Sequence, residues 1–261
     1  MPKGIQAYVN IVFSLLENGA NKAQIRGFAS SLRSMKLVLF DCDGTLVDSQ
    51  QMICAAMQQA YAGQGLPCPP TRRLLGIVGL SLEEAFRRLA DGADHPVDGL
   101  IAGYREAFFA LREAGTHASP LYPGARDAIE TLARRPDTLL GIATGKSRRG
   151  VTALLAEHDL TDRFVTIQTS DSAPSKPHPG MVLEALRETG VDAADTVVIG
   201  DTAFDMQMAR AAGARGIGVA WGYHPVADLH AAGAALVVDE FAAVAPALER
   251  LWEPDAVAAD A

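Results

Sequence analysis

The stretch Lys36-Leu-Val-Leu-Phe-Asp-Cys-Asp-Gly-Thr-Leu-Val-Asp48 places two carboxylates, Asp41 and Asp43, at the end of a short apolar run. The run is typical of a buried strand, and Gly44 with Thr45 predicts a turn after it. Ligands of open α/β sheets bind outside the carboxyl ends of the strands. Two adjacent acids repel unless a cation or proton lies between them, which predicts metal-assisted chemistry with one nucleophile and one proton donor. A strand-ending turn with an incidental second acid is the alternative.

Three further polar clusters follow strand-like runs later in the chain. The first is Thr144 with Gly145, a hydroxyl beside a residue that lets a backbone N–H approach an anion. The second is Lys176, which precedes a proline in a loop before a predicted helix. The third is the pair Asp201 and Asp205 at the end of another apolar run. Acids, a hydroxyl and a lysine in this order suit a phosphate group and a divalent cation.

Strand-like and helix-like stretches alternate from Met35 onward. The predicted strands are Lys36 to Asp41, Thr138 to Ala143, Phe164 to Gln168, Thr196 to Asp201, Gly216 to Ala220 and Ala235 to Val238. The predicted helices between and after them are 124–134, 147–158, 180–189, 203–212 and 241–252. This alternation predicts an α/β fold, a Rossmann-like parallel sheet with right-handed crossovers and helices on both faces.

A long insertion, residues 49–121, interrupts this alternation after the first predicted strand. It contains four helical stretches and no convincing strand, with helices expected at 50–62, 71–77, 82–90 and 97–114. The chain therefore divides into a core domain, residues 35–48 and 122–261, and a helical subdomain inserted into it.

Residues 1–34 differ in character from the rest. They carry four basic residues and a single acid, namely Lys3, Lys22, Arg26, Arg33 and Glu17. The simplest interpretation is that Met35 is the true start and that the extension is a mis-called start or a loosely attached helix. A targeting segment or a membrane-surface contact is the alternative.

Composition narrows the classes of function. The chain has 261 residues, 49% hydrophobic and 21% charged, enough for one sizeable core and an inserted subdomain. A formal net charge of −8 argues against nucleic-acid binding. A small phosphorylated metabolite needs only local positive charge, which Lys176, Lys146 and a metal ion would supply. The 3 cysteines show no metal-binding or disulfide spacing, and no transmembrane segment is evident, so we expect a cytoplasmic monomer or homodimer.

Taken together, the four motifs resemble those of the haloacid dehalogenase superfamily: Asp-x-Asp-Gly-Thr, a strand-ending Thr or Ser, a Lys, and Gly-Asp-x-x-x-Asp. The resemblance runs from about Met35 to the C-terminus and is closest to the phosphoglycolate-phosphatase-like members of subfamily IA. It implies that the helical insertion is the family's small cap, which closes over the active site and excludes water.

The resemblance also implies roles for the motif residues. Asp41 would attack phosphorus and form an aspartyl-phosphate, while Asp43 would protonate the leaving oxygen and later take a proton from water. The implied Mg²⁺ ligands are the Asp41 side chain, the Asp43 carbonyl and Asp201, with Asp205 in direct or indirect contact. The groups expected to hold the phosphate oxygens are Thr144, the Gly145 amide and Lys176.

Related reactions remain as alternatives to phosphomonoester hydrolysis. Asp43 argues against a dehalogenase or a phosphonatase, since neither has an acid at that position. A sugar phosphomutase of the β-phosphoglucomutase type keeps both acids, but its Gly-x-Ser-Arg loop is absent from residues 76–84. A catalytically silent binding protein is the non-enzymatic alternative. Cys42 is interpreted as a filler rather than a nucleophile, and residues 221–225 as a packed loop that could reach the cap or the substrate.

Overall fold

The structure, a computed structural model, describes residues 35–253 of the chain. The interpretation of residues 1–34 as a dispensable extension therefore lies outside the described residues.

A single six-stranded sheet forms the centre of the described chain. Its strands are β1 (Lys36–Phe40), β2 (Thr138–Thr144), β3 (Thr166–Thr169), β4 (Thr196–Gly200), β5 (Arg215–Val219) and β6 (Leu236–Val238). Their order is β3-β2-β1-β4-β5-β6, and every neighbouring pair is parallel. The predicted parallel α/β sheet is confirmed. The largest difference in a strand start is at β3, which begins at Thr166 rather than Phe164.

Four helices lie in the insertion and six in the rest of the described chain. They are α1 (Gln50–Gly63), α2 (Thr71–Leu75), α3 (Leu82–Ala90), α4 (Val97–Glu113), α5 (Ala125–Ala133), α6 (Arg148–Glu157), α7 (Gly180–Thr189), α8 (Ala203–Ala211), α9 (Val226–Ala232) and α10 (Val244–Trp252). The sequence prediction was wrong in omitting α9, which has seven residues, about two turns of helix. It was also wrong in starting the last helix at Phe241, because 241–243 form a separate 3₁₀ turn.

The sheet is covered on both faces, as its strand pattern requires. Along β1, Val38 and Phe40 pack into one hydrophobic cluster with α5, α6 and α10. Leu37 and Leu39 point the other way and pack with α7 and α8. Successive side chains of a strand alternate between faces, so an apolar strand without polar interruptions is buried on both sides. All four side chains are fully buried, and truncating Phe40 to alanine should cost about 3–5 kcal/mol.

The insertion has a hydrophobic cluster of its own, built mainly from α1 to α4, with Tyr61 and Phe86 at its centre. The two connections to the sheet lie side by side: the Asp48 N–H donates to the Pro120 carbonyl at 2.9 Å, and the Tyr122 N–H donates to the Leu46 carbonyl at 2.9 Å. The insertion therefore leaves and rejoins the sheet through two hydrogen-bonded segments close to the end of β1. Among residues 35–253, no helix has the length and apolar character needed to cross a bilayer.

Candidate active site

The turn after β1 brings two carboxylates of the first motif to the edge of the sheet. The Cys42 carbonyl accepts the N–H groups of three following residues, at 3.2, 2.8 and 3.0 Å, and thereby closes the turn. Gly44 has a φ of +84°, and a Cβ added there would lie 2.3 Å from Asp201 Oδ2. Only glycine fits, because the position needs both a left-handed conformation and a close approach to a neighbouring acid.

A buried charge cluster lies below this turn. Single oxygens of Asp41, Asp201 and Asp205 all lie within 4.8 Å of one another, and the three residues are fully buried. Lys176 Nζ lies 3.0 Å from Asp41 Oδ2 and 2.6 Å from Asp205 Oδ1, with its side chain equally buried. Three carboxylates and one ammonium leave an excess of negative charge. Burying such an excess is costly unless a cation binds or a proton is taken up.

Most oxygens of the cluster already accept hydrogen bonds. Asp201 accepts from the Thr45 hydroxyl at 2.8 Å and from the Tyr223 N–H at 2.9 Å. Asp205 accepts from Lys176 through Oδ1, and Thr202 donates to Oδ2 from both its N–H and its hydroxyl as the cap of α8. Because both Asp205 oxygens are engaged, its carboxylate is held in place by its own helix terminus and by Lys176.

Asp41 is the exception. Its Oδ1 accepts the Cys42 N–H at 2.7 Å. Its Oδ2 is buried and, although within ion-pair distance of Lys176 Nζ, receives no well-directed hydrogen bond from the described residues. A buried carboxylate oxygen that accepts no well-directed hydrogen bond is rare in folded proteins and calls for a functional explanation. This oxygen is free to bind a cation or to attack a substrate.

The charge cluster displaces the protonation equilibria of its members. Burial raises the pKa of Asp41 from 3.8 to about 6, with Lys176 lowering it in part and Asp205 raising it further. Burial, then the charges of Asp205 and Asp41, raises the pKa of Asp201 well above its ordinary value. Burial alone would lower the pKa of Lys176, but Asp205 and Asp41 outweigh it and the net change is upward. Lys176 therefore stays charged, and the acids hold protons more readily when no cation is bound.

The thiol of Cys42 lies inside the same motif but is protected from reaction. It is fully buried, and burial, then the charges of Asp41 and Asp43, raises its pKa. A nucleophilic cysteine needs a thiolate at neutral pH. The geometry agrees with the interpretation of Cys42 as a filler.

The Asp43 side chain turns away from the buried acids toward the insertion. Its Oδ1 accepts the Ser49 hydroxyl at 2.7 Å, and Lys146 Nζ lies 3.0 Å from each of its two oxygens. Ser49 directly precedes α1, and its hydroxyl is 3.3 Å from that of Tyr223. The side chains of Asp43 and Lys146 each keep 12% exposure. Asp43 therefore lies at the boundary between the buried cluster and the cleft.

Two of the three predicted phosphate-binding groups, Thr144 and Gly145, lie at the end of β2, where the chain meets the insertion. The Thr144 hydroxyl accepts the Lys146 N–H at 3.3 Å. A Cβ added at Gly145 would lie 2.4 Å from the Gly79 carbonyl oxygen and 2.5 Å from that of Leu80. Any side chain at Gly145 would therefore force the insertion loop away from the sheet.

A cleft of about 1080 Å³ separates the sheet edge from the insertion. Its floor contains Asp43, Thr144, Gly145 and Lys146. Its opposite wall is mostly apolar and includes Ile53, Met57, Ile77, Leu80, Ile101 and Phe108. The size lies at the upper end of small-molecule pockets.

All seven predicted site residues lie at the carboxyl end of the sheet. Four of them form the buried charge cluster: Asp41, Lys176, Asp201 and Asp205. The other three face the cleft, namely Thr144, Gly145 and the Asp43 side chain. Four further polar residues of the site had no role predicted from the sequence: Thr45, Ser49, Thr202 and Tyr223.

Of these four, one carried a readable signal. Thr202-Ala-Phe-Asp205 matches a capping box, in which the residue before a helix and the third residue within it bond reciprocally. The others act through distant partners, because Tyr223 reaches Asp201 and Ser49 from a loop after β5. The loop at 221–225 is packed, as expected, and Tyr223 also contacts the hydrophobic cluster of the insertion.

Comparison with known proteins agrees with this geometry. Residues 38–219 match the model of the family described as haloacid dehalogenase-like hydrolase. A Dickeya dadantii protein named "Probable phosphatase IndB" is 36% identical, over 82% of this chain and 94% of its own length. The phosphoglycolate phosphatase of Pseudomonas putida is 33% identical, over 81% and 79%.

Among solved structures, CbbY from Rhodobacter sphaeroides, crystallised in complex with phosphate, superposes with a TM-score of 0.67. It is 28% identical and covers 80% of this chain and 95% of its own. The shared motifs, the parallel sheet and the match over most of the described chain lead to one conclusion: the protein belongs to the haloacid dehalogenase-like hydrolase family.

Proposed function

We propose that this protein is a Mg²⁺-dependent phosphatase that hydrolyses a small phosphomonoester through an aspartyl-phosphate on Asp41. The observation that carries the proposal is Asp41 Oδ2, a buried oxygen that accepts no well-directed hydrogen bond from the described residues and lies 3.0 Å from the Lys176 ammonium. The names of the relatives support the same class of reaction, since both of those cited are phosphatases.

The donor set fits Mg²⁺. This ion prefers carboxylate and carbonyl oxygens and keeps several waters, and the three buried acids carry more negative charge than Lys176 balances. The Asp41 side chain, the Asp43 carbonyl and Asp201 would hold it. Asp205 would act indirectly, because one of its oxygens is paired with the Lys176 ammonium and the other with the cap of α8, whereas the donors to Asp201 carry no charge. When bound, the ion would offset the charge of the acids and of the phosphate oxygens.

Hydrolysis would proceed in two displacements. The Asp41 carboxylate attacks phosphorus as the ester P–O bond breaks, and the departing oxygen takes a proton from Asp43 and leaves as an alcohol. Asp43, now a carboxylate, then takes a proton from a water that attacks the same phosphorus. The acyl-phosphate P–O bond breaks, which releases inorganic phosphate and restores Asp41.

The remaining predicted residues would bind the phosphoryl group and enclose it. Thr144, the Gly145 amide and Lys176 are proposed to hold its peripheral oxygens, where charge is stabilised during transfer. We further propose that residues 49–121 form a cap on a core made of 35–48 and 122–253. The close approach of Gly145 to the insertion loop and the bond from the Ser81 N–H to Ser175 Oγ at 2.9 Å support a closed arrangement.

The substrate class is proposed to be a small, phosphoglycolate-like phosphomonoester, after the name of the Pseudomonas putida relative. The apolar cap wall lacks the loop arginine expected of a sugar phosphomutase, since Leu82 follows Ser81. A cytoplasmic setting is proposed from cysteine usage, as all three cysteines are free thiols.

The test is a panel of phosphorylated metabolites that includes 2-phosphoglycolate, glycerol phosphate and hexose phosphates, assayed for inorganic phosphate and for isomerised product. Phosphate release that stops in excess chelator and returns with Mg²⁺ is expected. Isomer formation without net phosphate release would favour the mutase, and the absence of any turnover would favour a silent binding protein. The Asp41→Asn protein, purified in parallel, controls for contaminating phosphatases.

A further inference from the structure

The described part of the chain contains a second lysine at the site, Lys146, whose contacts differ from those of Lys176. Lys176 is sealed within the acid cluster, whereas Lys146 lies in the cleft on the loop that follows β2. Its Nζ contacts both oxygens of Asp43 at 3.0 Å. Lys146 therefore pairs with the proposed proton donor, Asp43, and not with the proposed nucleophile, Asp41. This contact needs a separate explanation.

The far side of Lys146 is covered by the insertion. Its Nζ lies 5.0 Å from the ring centroid of Phe108, a residue of α4. Asp43, in turn, is held on its other side by Ser49, the residue that precedes α1. Asp43, the proposed proton donor, is therefore held between two side chains. One is Ser49, at the start of the insertion, and the other is Lys146, which the insertion covers.

From this arrangement we infer that Lys146 is a positioning residue, which aims the Asp43 carboxyl group at the leaving oxygen only while Phe108 of the insertion covers it. The inference rests on the proposed function. An acid must meet its acceptor within hydrogen-bond reach, and an error of about 1 Å in placement can cost about a hundredfold in rate. Without Lys146, Asp43 would keep Ser49 as its only side-chain partner among the described residues. Its carboxyl group would then rotate about its own χ angles.

The neighbouring residue pair provides a natural control. Arg149 lies over the ring of Phe109 at 4.8 Å, so it repeats the cation–ring contact one residue further along α4. The side-chain partners of Asp43 among the described residues are Ser49 and Lys146, not Arg149, and Phe109 is 45% exposed. Arg149 and Phe109 also line the cleft, so substitutions at this second pair disturb an adjoining part of its wall without removing a side-chain partner of the proton donor.

The kinetic test compares an alkyl phosphate, whose leaving oxygen needs a proton, with p-nitrophenyl phosphate, whose leaving group does not. Lys146→Met should lower kcat for the alkyl ester by roughly 30-fold and for the aryl ester by less than about threefold. Lys146→Arg should restore most of the loss, and Phe108→Leu should give the same pattern more weakly. Phe109→Leu and Arg149→Met should leave the ratio of the alkyl rate to the aryl rate within about twofold of the original.

Two outcomes would overturn the inference. A rise in KM of equal size for both esters with kcat unchanged would make Lys146 a simple substrate ligand. Equal losses of kcat on both esters, with a lowered melting temperature, would make it merely structural.

A structural measurement separates failure of this inference from failure of the proposed function. In crystals of Lys146→Met the Asp43 carboxylate should leave the position it has beside Ser49, whereas in Arg149→Met it should stay. This comparison needs no turnover. An unmoved Asp43 in Lys146→Met refutes the positioning role even if the enzyme is an active phosphatase, and a displaced Asp43 supports it even if the substrate class is wrong.

Discussion

The two walls of the cleft differ in the chemical character and burial of their side chains. On the sheet side, four charged residues are fully buried and all but one of their carboxylate oxygens accept a hydrogen bond: Asp41, Lys176, Asp201 and Asp205. On the insertion side the lining is mainly aliphatic and aromatic, and most of its charged members, such as Arg105, are exposed. The difference suggests that the sheet supplies the chemistry and the insertion selects the substrate. Each experiment below tests that division.

The largest expected effect is that of Asp41→Asn. The covalent route is closed rather than slowed, so kcat should fall by about 10⁴-fold or more. Steady-state rates on the best substrate of the panel, with circular dichroism to check folding, provide the measurement. Asp48→Asn is the matched control, because it changes an exposed acid in the same motif stretch. If the two variants lost similar activity, the buried wall would not hold the nucleophile.

Asp43→Asn should have the next largest effect, and its size should depend on the substrate. Loss of the proton donor should slow alkyl phosphates by about 10²–10⁴-fold, while aryl phosphates with good leaving groups are slowed far less. A plot of log kcat against leaving-group pKa for both proteins measures this. Parallel lines of equal slope would contradict the role given to Asp43.

Mg²⁺ should stabilise the protein in a pH-dependent way. Burial raises the pKa of Asp41 from 3.8 to about 6 and moves that of Asp201 in the same direction. Between pH 3.8 and about pH 6, the folded metal-free protein therefore keeps a proton on Asp41 that the unfolded chain has released. Its free energy of unfolding falls as the pH rises through this range. Above it the acids are ionised, and only then do they bind a cation well.

Differential scanning calorimetry at pH 5.0 and 7.5, with and without Mg²⁺, checks this linkage. We expect the ion to raise Tm at pH 7.5 and to raise it clearly less at pH 5.0. At pH 7.5 and a Mg²⁺ concentration one hundred times its Kd, the free energy of unfolding should increase by up to about 2.7 kcal/mol. Ca²⁺ and Na⁺ at matched ionic strength serve as controls. An equal shift at both pH values would mean that the ion binds elsewhere.

The smallest effect is expected from the insertion wall. Ile101→Ala enlarges the cleft opposite the acids. The lost contact should raise KM for the preferred substrate by about tenfold, which corresponds to about 1.4 kcal/mol of binding free energy. The Mg²⁺ requirement and kcat on p-nitrophenyl phosphate should not change. Val226→Ala, which alters an exposed apolar residue of α9, is the control. A large loss of kcat on every substrate would break the proposed division between the two walls.

Much of the fold and of the buried cluster could be predicted from the sequence, because both depend on local patterns. Apolar runs such as 36–40 form buried parallel strands, and parallel strands present their carboxyl ends at one edge. Acids, a hydroxyl and a lysine that directly follow such runs must then lie near each other. The seven-residue helix α9 was missed for the converse reason, since about two turns are too short to show a helical period of apolar residues.

The direction in which each carboxylate points was decided only by tertiary structure. Asp41 and Asp43 are two residues apart in the same motif, yet the first turns into the acid cluster and the second toward Ser49 and Lys146. Tyr223, which donates its N–H to Asp201, comes from a loop 22 residues away. A sequence pattern identifies which groups reach one edge of a sheet. The partner of each oxygen depends on close packing between segments distant in the chain, for which no local period exists.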